Sequence, residues 1–350
     1  MKKNKLFLLI PTLLLVACNN NPQPKETLLR RYEYYNTESE LIKATDYDYY
    51  EDNKTKLITE YSHSSQEDRM YKSETQEYTY SENKETSINT SFDKEGTITY
   101  MEKSEKEFDT LKSLLANKES SSKDKGQTWK VDLNYSYSYT YDNHNNITSM
   151  EMKESVYDST AGAEYLYDEE NREISALYYQ VIDDTKIYIE KTLHEYKSEE
   201  NYRTLTVSDF YIEDEQEYLN YKYIYYYDSN DFNYKVVSYE DDELCSTNNY
   251  SYDGNVVVET SLTYSSSTSS YHTTQITTSV YDKDVTDEKA LLLKEIVINP
   301  SSSTGHNKKS VRNYKYDEWG HMIETEYKSY IFSGDYERLT ISSKEIWIYS

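Results

Sequence analysis

Tyrosine at every second position is the feature that most constrains the fold of this chain. In the segment DLNYSYSYTYDNHNNIT, Tyr135, Tyr137, Tyr139 and Tyr141 alternate with Asn, Ser and Thr. Successive side chains of a β-strand point to opposite faces of the sheet, so the segment predicts a strand with one face of rings and one polar face. The same alternation recurs in YKYIYYYD, at Tyr221, Tyr223, Tyr225 and Tyr227. A period of two is typical of strands and not of helices.

The predicted turns repeat as well. Tyr-Asp pairs occur at 47–48, 141–142, 157–158, 167–168, 227–228, 252–253, 281–282 and 316–317, and turn residues follow several of them, as in DNHNNI, DEENREI and DEWGHMI. An Asp at the first position of a turn can accept hydrogen bonds from its own backbone. A Gly or Asn a few residues later tolerates positive φ. A strand, an Asp-led turn and a return strand together predict repeated β-hairpins.

Two of these segments, YKYDEWGHMIE (residues 314–324) and YTYDNHNNITS, resemble the tyrosine–aspartate (YD, or Rhs-type) repeat family, with Asn145 in place of Gly in the second. That family builds long antiparallel sheets from successive hairpins. The resemblance therefore implies a β-meander. We do not extend it to the closed shell of the large family members, because the mature chain is far shorter and no toxin domain follows.

One segment predicts a helix near 105–117. In SEKEFDTLKSLLANKE, Ser104 and Glu107 have the spacing of a capping box, and an apolar stripe follows: Phe108, Leu111, Leu114 and Leu115. The predicted fold is thus all-β, an elongated twisted antiparallel meander with one short helix. We divide it into N-terminal hairpins plus helix at 27–118 and a YD-repeat-like sheet at 128–350.

The first residues predict export and lipidation. MKKNKLFLLIPTLLLVAC has a basic start, a short apolar run and a small residue before Cys18, the order of a secretory signal. Leu15-Val16-Ala17-Cys18 resembles the lipobox of bacterial lipoproteins. The resemblance implies a signal peptide at 1–17, lipidation of Cys18, a polar tether at 18–26 and a location in the bacterial cell envelope. With Asn19 after the Cys, the location would be the outer membrane if the cell has one.

Charge and composition limit the partners. The formal charge is −26, and loss of Lys2, Lys3 and Lys5 with the signal would make it −29. So acidic a chain repels the phosphates of nucleic acid and anionic lipid. Tyr supplies 43 of 350 residues, and each ring can bury apolar area while its hydroxyl stays in water. We therefore expect ring packing to replace much of the usual aliphatic core.

No pattern indicates catalysis or a cofactor. The six histidines, His63, His144, His194, His272, His306 and His321, show no metal-ligand spacing. Cys245 follows EDDE, and we interpret it as a bystander thiol because negative neighbours disfavour a thiolate. The oxygen donors of DNHNN and DSND form no full calcium loop, and turn chemistry accounts for them. With 64 acidic residues, a carboxylate pair for glycoside cleavage is always available by chance.

The sequence thus predicts a membrane-anchored envelope lipoprotein with a non-catalytic binding or structural role and no cofactor. Its partners would be the membrane, through the N-terminal lipid, and a glycan or an envelope protein. One alternative is a glycan-binding accessory protein that uses tyrosine faces, because Tyr is enriched at binding surfaces. The other is a hydrolase with an unrecognised carboxylate pair. Ring pairing across strands is the competing structural interpretation of the tyrosines.

Overall fold

The computed structural model describes residues 28–199, 202–265, 267–287, 289–300, 307–333 and 336–349. These residues form 22 β-strands and no helix. The strands are β1 (Leu29–Tyr35), β2 (Leu41–Tyr49), β3 (Thr55–Ser64), β4 (Arg69–Ser81), β5 (Lys84–Phe92), β6 (Ile98–Phe108), β7 (Leu114–Ser122), β8 (Lys130–Tyr141), β9 (Ile147–Glu154), β10 (Ser159–Tyr167), β11 (Glu173–Ile182), β12 (Thr185–Ser198), β13 (Arg203–Glu213), β14 (Gln216–Tyr227), β15 (Asn233–Glu240), β16 (Glu243–Asp253), β17 (Val256–Ser265), β18 (Ser270–Tyr281), β19 (Leu292–Asn299), β20 (Asn307–Tyr316), β21 (Met322–Ser333) and β22 (Tyr336–Tyr349).

Every strand pairs with the next in antiparallel fashion, and the last pairs with the first. Tyr32 of β1 lies opposite Thr45 of β2 on one side and Trp347 of β22 on the other. The all-β meander of consecutive hairpins is therefore confirmed, but it is a closed barrel and not an open, elongated sheet. Closure pairs the N–H and C=O groups that an edge strand would leave free.

The predicted helix near 105–117 is wrong. Residues up to Phe108 belong to β6, Leu114 begins β7, and the two strands pair with Phe108 opposite Leu114. Ser104 does not cap a helix, because its hydroxyl bonds the side-chain oxygen of Asn117 at 3.2 Å. A short isolated helix is marginal in water, whereas β6 gains pairing with β5 and β7. The predicted boundary between 27–118 and 128–350 falls at β7 and β8, which also pair directly.

The Asp-led hairpin turns are confirmed at the Tyr-Asp pairs of Asp142, Asp168, Asp228 and Asp317, whereas Asp48 and Asp253 lie within β2 and β16. Asp168 Oδ1 accepts hydrogen bonds from the backbone N–H of Glu170 and of Arg172, both at 2.9 Å. Asn171 has φ of 65° and donates to the Asp168 carbonyl at 3.0 Å. The left-handed region favours Gly and Asn at that position, although Lys112 and Asp231 occupy it with φ of 69° and 65° in the turns led by Asp109 and Asp228. The same arrangement is led by Asp93, Asp109, Asp142, Asp228 and Asp317.

Most of the tyrosines share one face of the barrel. Paired residues of neighbouring strands lie on the same face, so the tyrosine face can be followed from Tyr139 through Met150 and Ala163 to Tyr178. It continues through all strands and returns to Tyr32 beside Trp347. In β8 the tyrosines of this face are half-buried, whereas Ser136, Ser138 and Thr140 opposite them are exposed. Side chains crowd on the concave side of a curved sheet, and from the size and shared face of the tyrosine rings we infer that the tyrosine face is the inner wall.

The two faces differ in charge. The outer face carries lysines paired to acids of neighbouring strands, as in Lys315–Glu324 at 2.6 Å and Lys344–Glu324 at 2.8 Å. Several inner-wall carboxylates have no ion-pair partner among the described residues: Glu74, Glu102, Glu190, Glu259 and Glu295. A 22-stranded barrel at the usual strand spacing measures about 40 Å from wall to wall. The barrel thus encloses an acidic, ring-lined space.

Candidate binding site on the inner wall

Tyrosine hydroxyls tie neighbouring strands together at one rim of the barrel. Tyr167 donates to the Ile147 carbonyl at 3.1 Å, and each carbonyl of this kind belongs to a strand that begins at the same rim. The corresponding pairs are Tyr49 with Leu29 at 2.7 Å, Tyr139 with Leu114 at 2.9 Å, Tyr252 with Asn233 at 2.6 Å and Tyr316 with Leu292 at 2.8 Å. These tyrosines hold the wall together through their hydroxyls, whereas the sequence interpretation expected ring pairing across strands with the hydroxyls in water; the alternating rings of β8 and β14 contact each other along their own strand.

The inner wall also keeps its phenols neutral. Burial, followed by the neighbouring tyrosines, raises the pKa of Tyr139 to about 12. Burial likewise raises the pKa of Tyr178 to about 12. Desolvation disfavours the phenolate because the ion loses hydration. The rings are therefore uncharged hydrogen-bonding platforms over the whole physiological pH range.

A polar cavity of about 430 Å³ interrupts the tyrosine wall at β4 to β8. Gln76, Asn89 and Glu102 lie in it as direct partners on three consecutive strands, and we call them the amide row. A second layer beside them contains Ser87, Ser104 and Glu119. Strand pairing positions all six side chains on one face at regular spacing.

The amide row has free hydrogen-bonding capacity. The side chains of Gln76, Asn89 and Glu102 make no hydrogen bond within the described part of the chain, and the buried Asn89 Oδ1 is without a partner there. Glu119 differs, because its Oε1 accepts a hydrogen bond from Asn117 Nδ2 at 3.1 Å. Buried polar groups are normally satisfied, so Asn89 Oδ1, like Ser64 Oγ and Asn233 Oδ1, has the capacity to accept a hydrogen bond from a bound molecule.

A more apolar cavity of about 520 Å³ lies on the inner wall at β16 to β18. Phe232 and Tyr252 pack there with ring centroids 4.9 Å apart, and Tyr250 donates to Glu259 at 3.3 Å. The loop after β18 covers one end, where Val285 donates its N–H to the Gly254 carbonyl at 3.1 Å. Two of its polar groups are partnered, because Tyr250 bonds Glu259 and Thr277 Oγ1 accepts a hydrogen bond from Gln275 at 2.9 Å.

The other predicted residues lie apart from these cavities. Cys18 and His306 are outside the described residues. Cys245 is a half-buried free thiol on β16, with the Glu243 carbonyl 3.6 Å away. No group of three metal-ligating side chains occurs in the described ranges. The turns at Asp142 and Asp228 use their carboxylates for backbone N–H groups, in agreement with the turn interpretation of both segments.

A facing carboxylate pair does occur on the inner wall. Glu60 and Glu74 are direct partners on β3 and β4. Glu60 is bound to Lys43 at 2.8 Å, and its side chain is one-third exposed. Glu60 is therefore already engaged in an ion pair on this wall.

No protein-family model and no characterised protein sequence matches the chain. Among solved structures it is similar to a porin-like protein from Bacteroides uniformis, with TM-score 0.24, 9% identity, 79% of this chain and 96% of that chain covered. A protein with unknown function from Bacteroides fragilis gives TM-score 0.19, 9% identity and coverage of 51% and 93%. The TcdB2-TccC3-TEV structure gives TM-score 0.19, 10% identity and coverage of 89% and 22%. Similarities this low carry no argument about function.

Proposed function

We propose that this protein is a lipid-anchored, non-catalytic barrel of the cell envelope that binds a ligand on its inner wall. The observation that carries the proposal is the contrast between the two faces. Ion pairs between neighbouring strands recur on the outer face. The inner wall has the ion pairs Lys43–Glu60 and Lys106–Glu85, but it also presents tyrosines, carboxylates without an ion-pair partner among the described residues, and the amide row. Binding surfaces favour Tyr, since it offers contact area and a hydrogen bond at a low entropic cost.

The anchor would be the lipid on Cys18. Leu29 begins β1 next to Tyr349, at the rim where the Asp142, Asp168 and Asp317 turns lie. A chain that is tethered at 18–26 would hold this rim toward the membrane. The opposite rim, with the acidic turns at 183–184, 214–215 and 241–242, would then face away from it.

The outer face does not suit hydrocarbon. Lys191 and Glu217 pair at 2.7 Å, as do Lys186 and Glu164, and such charges recur around the barrel. A Lys or Arg on the lipid face of a barrel costs about 2–4 kcal/mol at the bilayer midplane. The barrel would therefore stand in water, and only acyl chains would enter the bilayer. Separately, no helix in the described ranges is long and apolar enough to cross a membrane.

The test is to compare the full chain with its Cys18→Ala variant in bacteria fed labelled palmitate. We expect the unchanged chain to incorporate label and to float with membranes, because two or more acyl chains give stable attachment. The Cys18→Ala variant should lose the label and leave the membrane fraction in a high-salt wash, while Cys245→Ala should behave like the unchanged chain. A Cys18→Ala barrel that stays integrated in membranes would overturn the proposal.

A further inference from the structure

We infer that the amide row, Gln76, Asn89 and Glu102, is a subsite for a neutral oligosaccharide. This inference rests on the proposed inner-wall binding function and adds the ligand class and its location. The three side chains are paired in register on β4, β5 and β6. Neighbouring strands lie about 4.8 Å apart, so the row spans about 10 Å, which is the length of two linked sugar rings.

The hydrogen-bonding pattern selects a ligand that both donates and accepts. The Gln76 and Asn89 amides each carry donors and an acceptor, and Glu102 is acceptor-only when ionised. Sugar hydroxyls also donate and accept, so they can satisfy all three side chains, including the buried Asn89 Oδ1. An ammonium ligand only donates and would leave the amide N–H groups unpaired.

Aromatic rings flank the row on the same face. Tyr100 lies two residues before Glu102 on β6 and lines the cavity. Tyr78 lies two residues after Gln76 on β4, stacked on Tyr80 with ring centroids 6.2 Å apart. The apolar face of a sugar ring can pack on such rings while its hydroxyls reach the row. Rings with adjacent polar anchors match the usual make-up of small-ligand sites.

The charges at the amide row favour neutral over acidic sugars. Neither Glu102 nor Glu119 has an ion-pair partner in the described part of the chain, and both line the cavity. Lys103 also lines the cavity but belongs to the outer face, where it bonds Glu105 at 3.1 Å. The third lining carboxylate, Asp132, is paired with Lys130 at 3.1 Å. An anionic sugar would meet two uncompensated carboxylates, and like charges placed together are unfavourable.

The experiment is calorimetric titration of the detergent-solubilised lipidated protein. The neutral probes are cellotriose, maltotriose, xylotriose and chitotriose, and the anionic probe is a galacturonic acid trimer. We expect at least one neutral trimer to bind and the anionic trimer to bind at least tenfold more weakly. Asn89→Ala should weaken the binding of the neutral trimer at least tenfold. Gln275→Ala should leave the affinity for the neutral trimer unchanged. It is the matched inner-wall control, because the Gln275 amide already donates to Thr277 Oγ1 at 2.9 Å.

A second variant guards against misfolding of Asn89→Ala. Glu102→Gln keeps the side-chain shape, and we expect it to raise the affinity for the anionic trimer relative to the neutral one. The inference is overturned if no neutral trimer binds to the folded barrel, if the anionic trimer binds equally well, or if neither variant changes binding. Labelling at Cys18 is measured separately, so failure here is distinct from failure of the anchoring proposal.

Discussion

The Tyr167 hydroxyl donates a hydrogen bond to the Ile147 carbonyl at 3.1 Å. Ile147 is the first residue of β9, just after the turn led by Asp142, and Tyr167 is the last residue of β10, just before the turn led by Asp168. Each such tyrosine therefore fastens the exit of one turn to the entrance of another. In Tyr167–Asp168 and Tyr316–Asp317 the Tyr-Asp pair thus combines two functions, because the tyrosine hydroxyl bridges two strands and the carboxylate closes the turn.

Replacing Tyr167 by Phe removes this bridge and keeps the ring. We expect a loss of about 0.5–1.5 kcal/mol in the free energy of unfolding, the usual net value of a protein hydrogen bond. Urea denaturation followed by circular dichroism measures it. Tyr165→Phe is the matched control, because Tyr165 lies on the same strand and face and its hydroxyl has no protein partner among the described residues. Equal effects of the two changes would show that the hydroxyl bond does not contribute.

Local chemistry was sufficient to predict several strands, β8 and β14 among them, and the turns led by Asp142, Asp168, Asp228 and Asp317. Alternation around Tyr137 identified the ring face, and Asp-led turns such as that of Asp317 followed from backbone hydrogen bonding. The helix predicted at 105–117 was wrong because the spacing of its apolar residues fits either the apolar stripe of a helix or two paired strands. Phe108 and Leu114 meet across a hairpin instead, and only the neighbouring strand decides between the two.

The closure of the barrel and the position of the amide row could not be predicted from the sequence. The pairing of β1 with β22 joins Tyr32 to Trp347, a contact that no local pattern encodes. Gln76, Asn89 and Glu102 come together only when the registers of two hairpins are known. Since a shift by one residue would move each side chain to the other face, sequence alone does not single them out.

Gly162 should be essential for packing of the outer face. It lies opposite Tyr179, whose ring is almost fully buried, and a Cβ at Gly162 would collide with that ring and with the Met150 carbonyl. We expect Gly162→Ala to destabilise the barrel by about 1–3 kcal/mol, as overpacking does. Thermal unfolding measures the loss. Gly96→Asn is the control, because Gly96 has φ of 81° with open space around it and Asn tolerates that conformation.

The Asp-led turns should make the barrel sensitive to acid. The backbone N–H of Arg172 and then its guanidinium hold the pKa of Asp168 below its ordinary value of 3.8. A carboxyl whose pKa is lower in the folded protein than in the unfolded chain stabilises the fold at pH values above the unfolded-chain pKa. This contribution is lost as the pH falls through the pKa of the folded protein. We expect Asp168→Ala to lower the melting temperature at pH 7 and to flatten its decline between pH 5 and pH 3. Glu169→Gln, at an exposed turn position, should change neither, and an unchanged acid profile in Asp168→Ala would contradict the assignment.

The inner wall should make the barrel sensitive to alkali. Burial raises the pKa of Tyr32, Tyr139 and Tyr178 from 10.0 to about 12. Between these values the unfolded chain releases phenolic protons that the folded barrel retains, so stability is complete below pH 10 and falls as pH rises toward 12. Denaturant unfolding at steps from pH 8 to pH 12, with phenolate absorbance near 295 nm, measures both quantities. Tyr178→Phe should reduce the slope of stability against pH in that window, whereas Tyr157→Phe, at an exposed turn, should leave it unchanged. Ionisation of all tyrosines near pH 10 in a barrel that stays folded would contradict the buried inner wall.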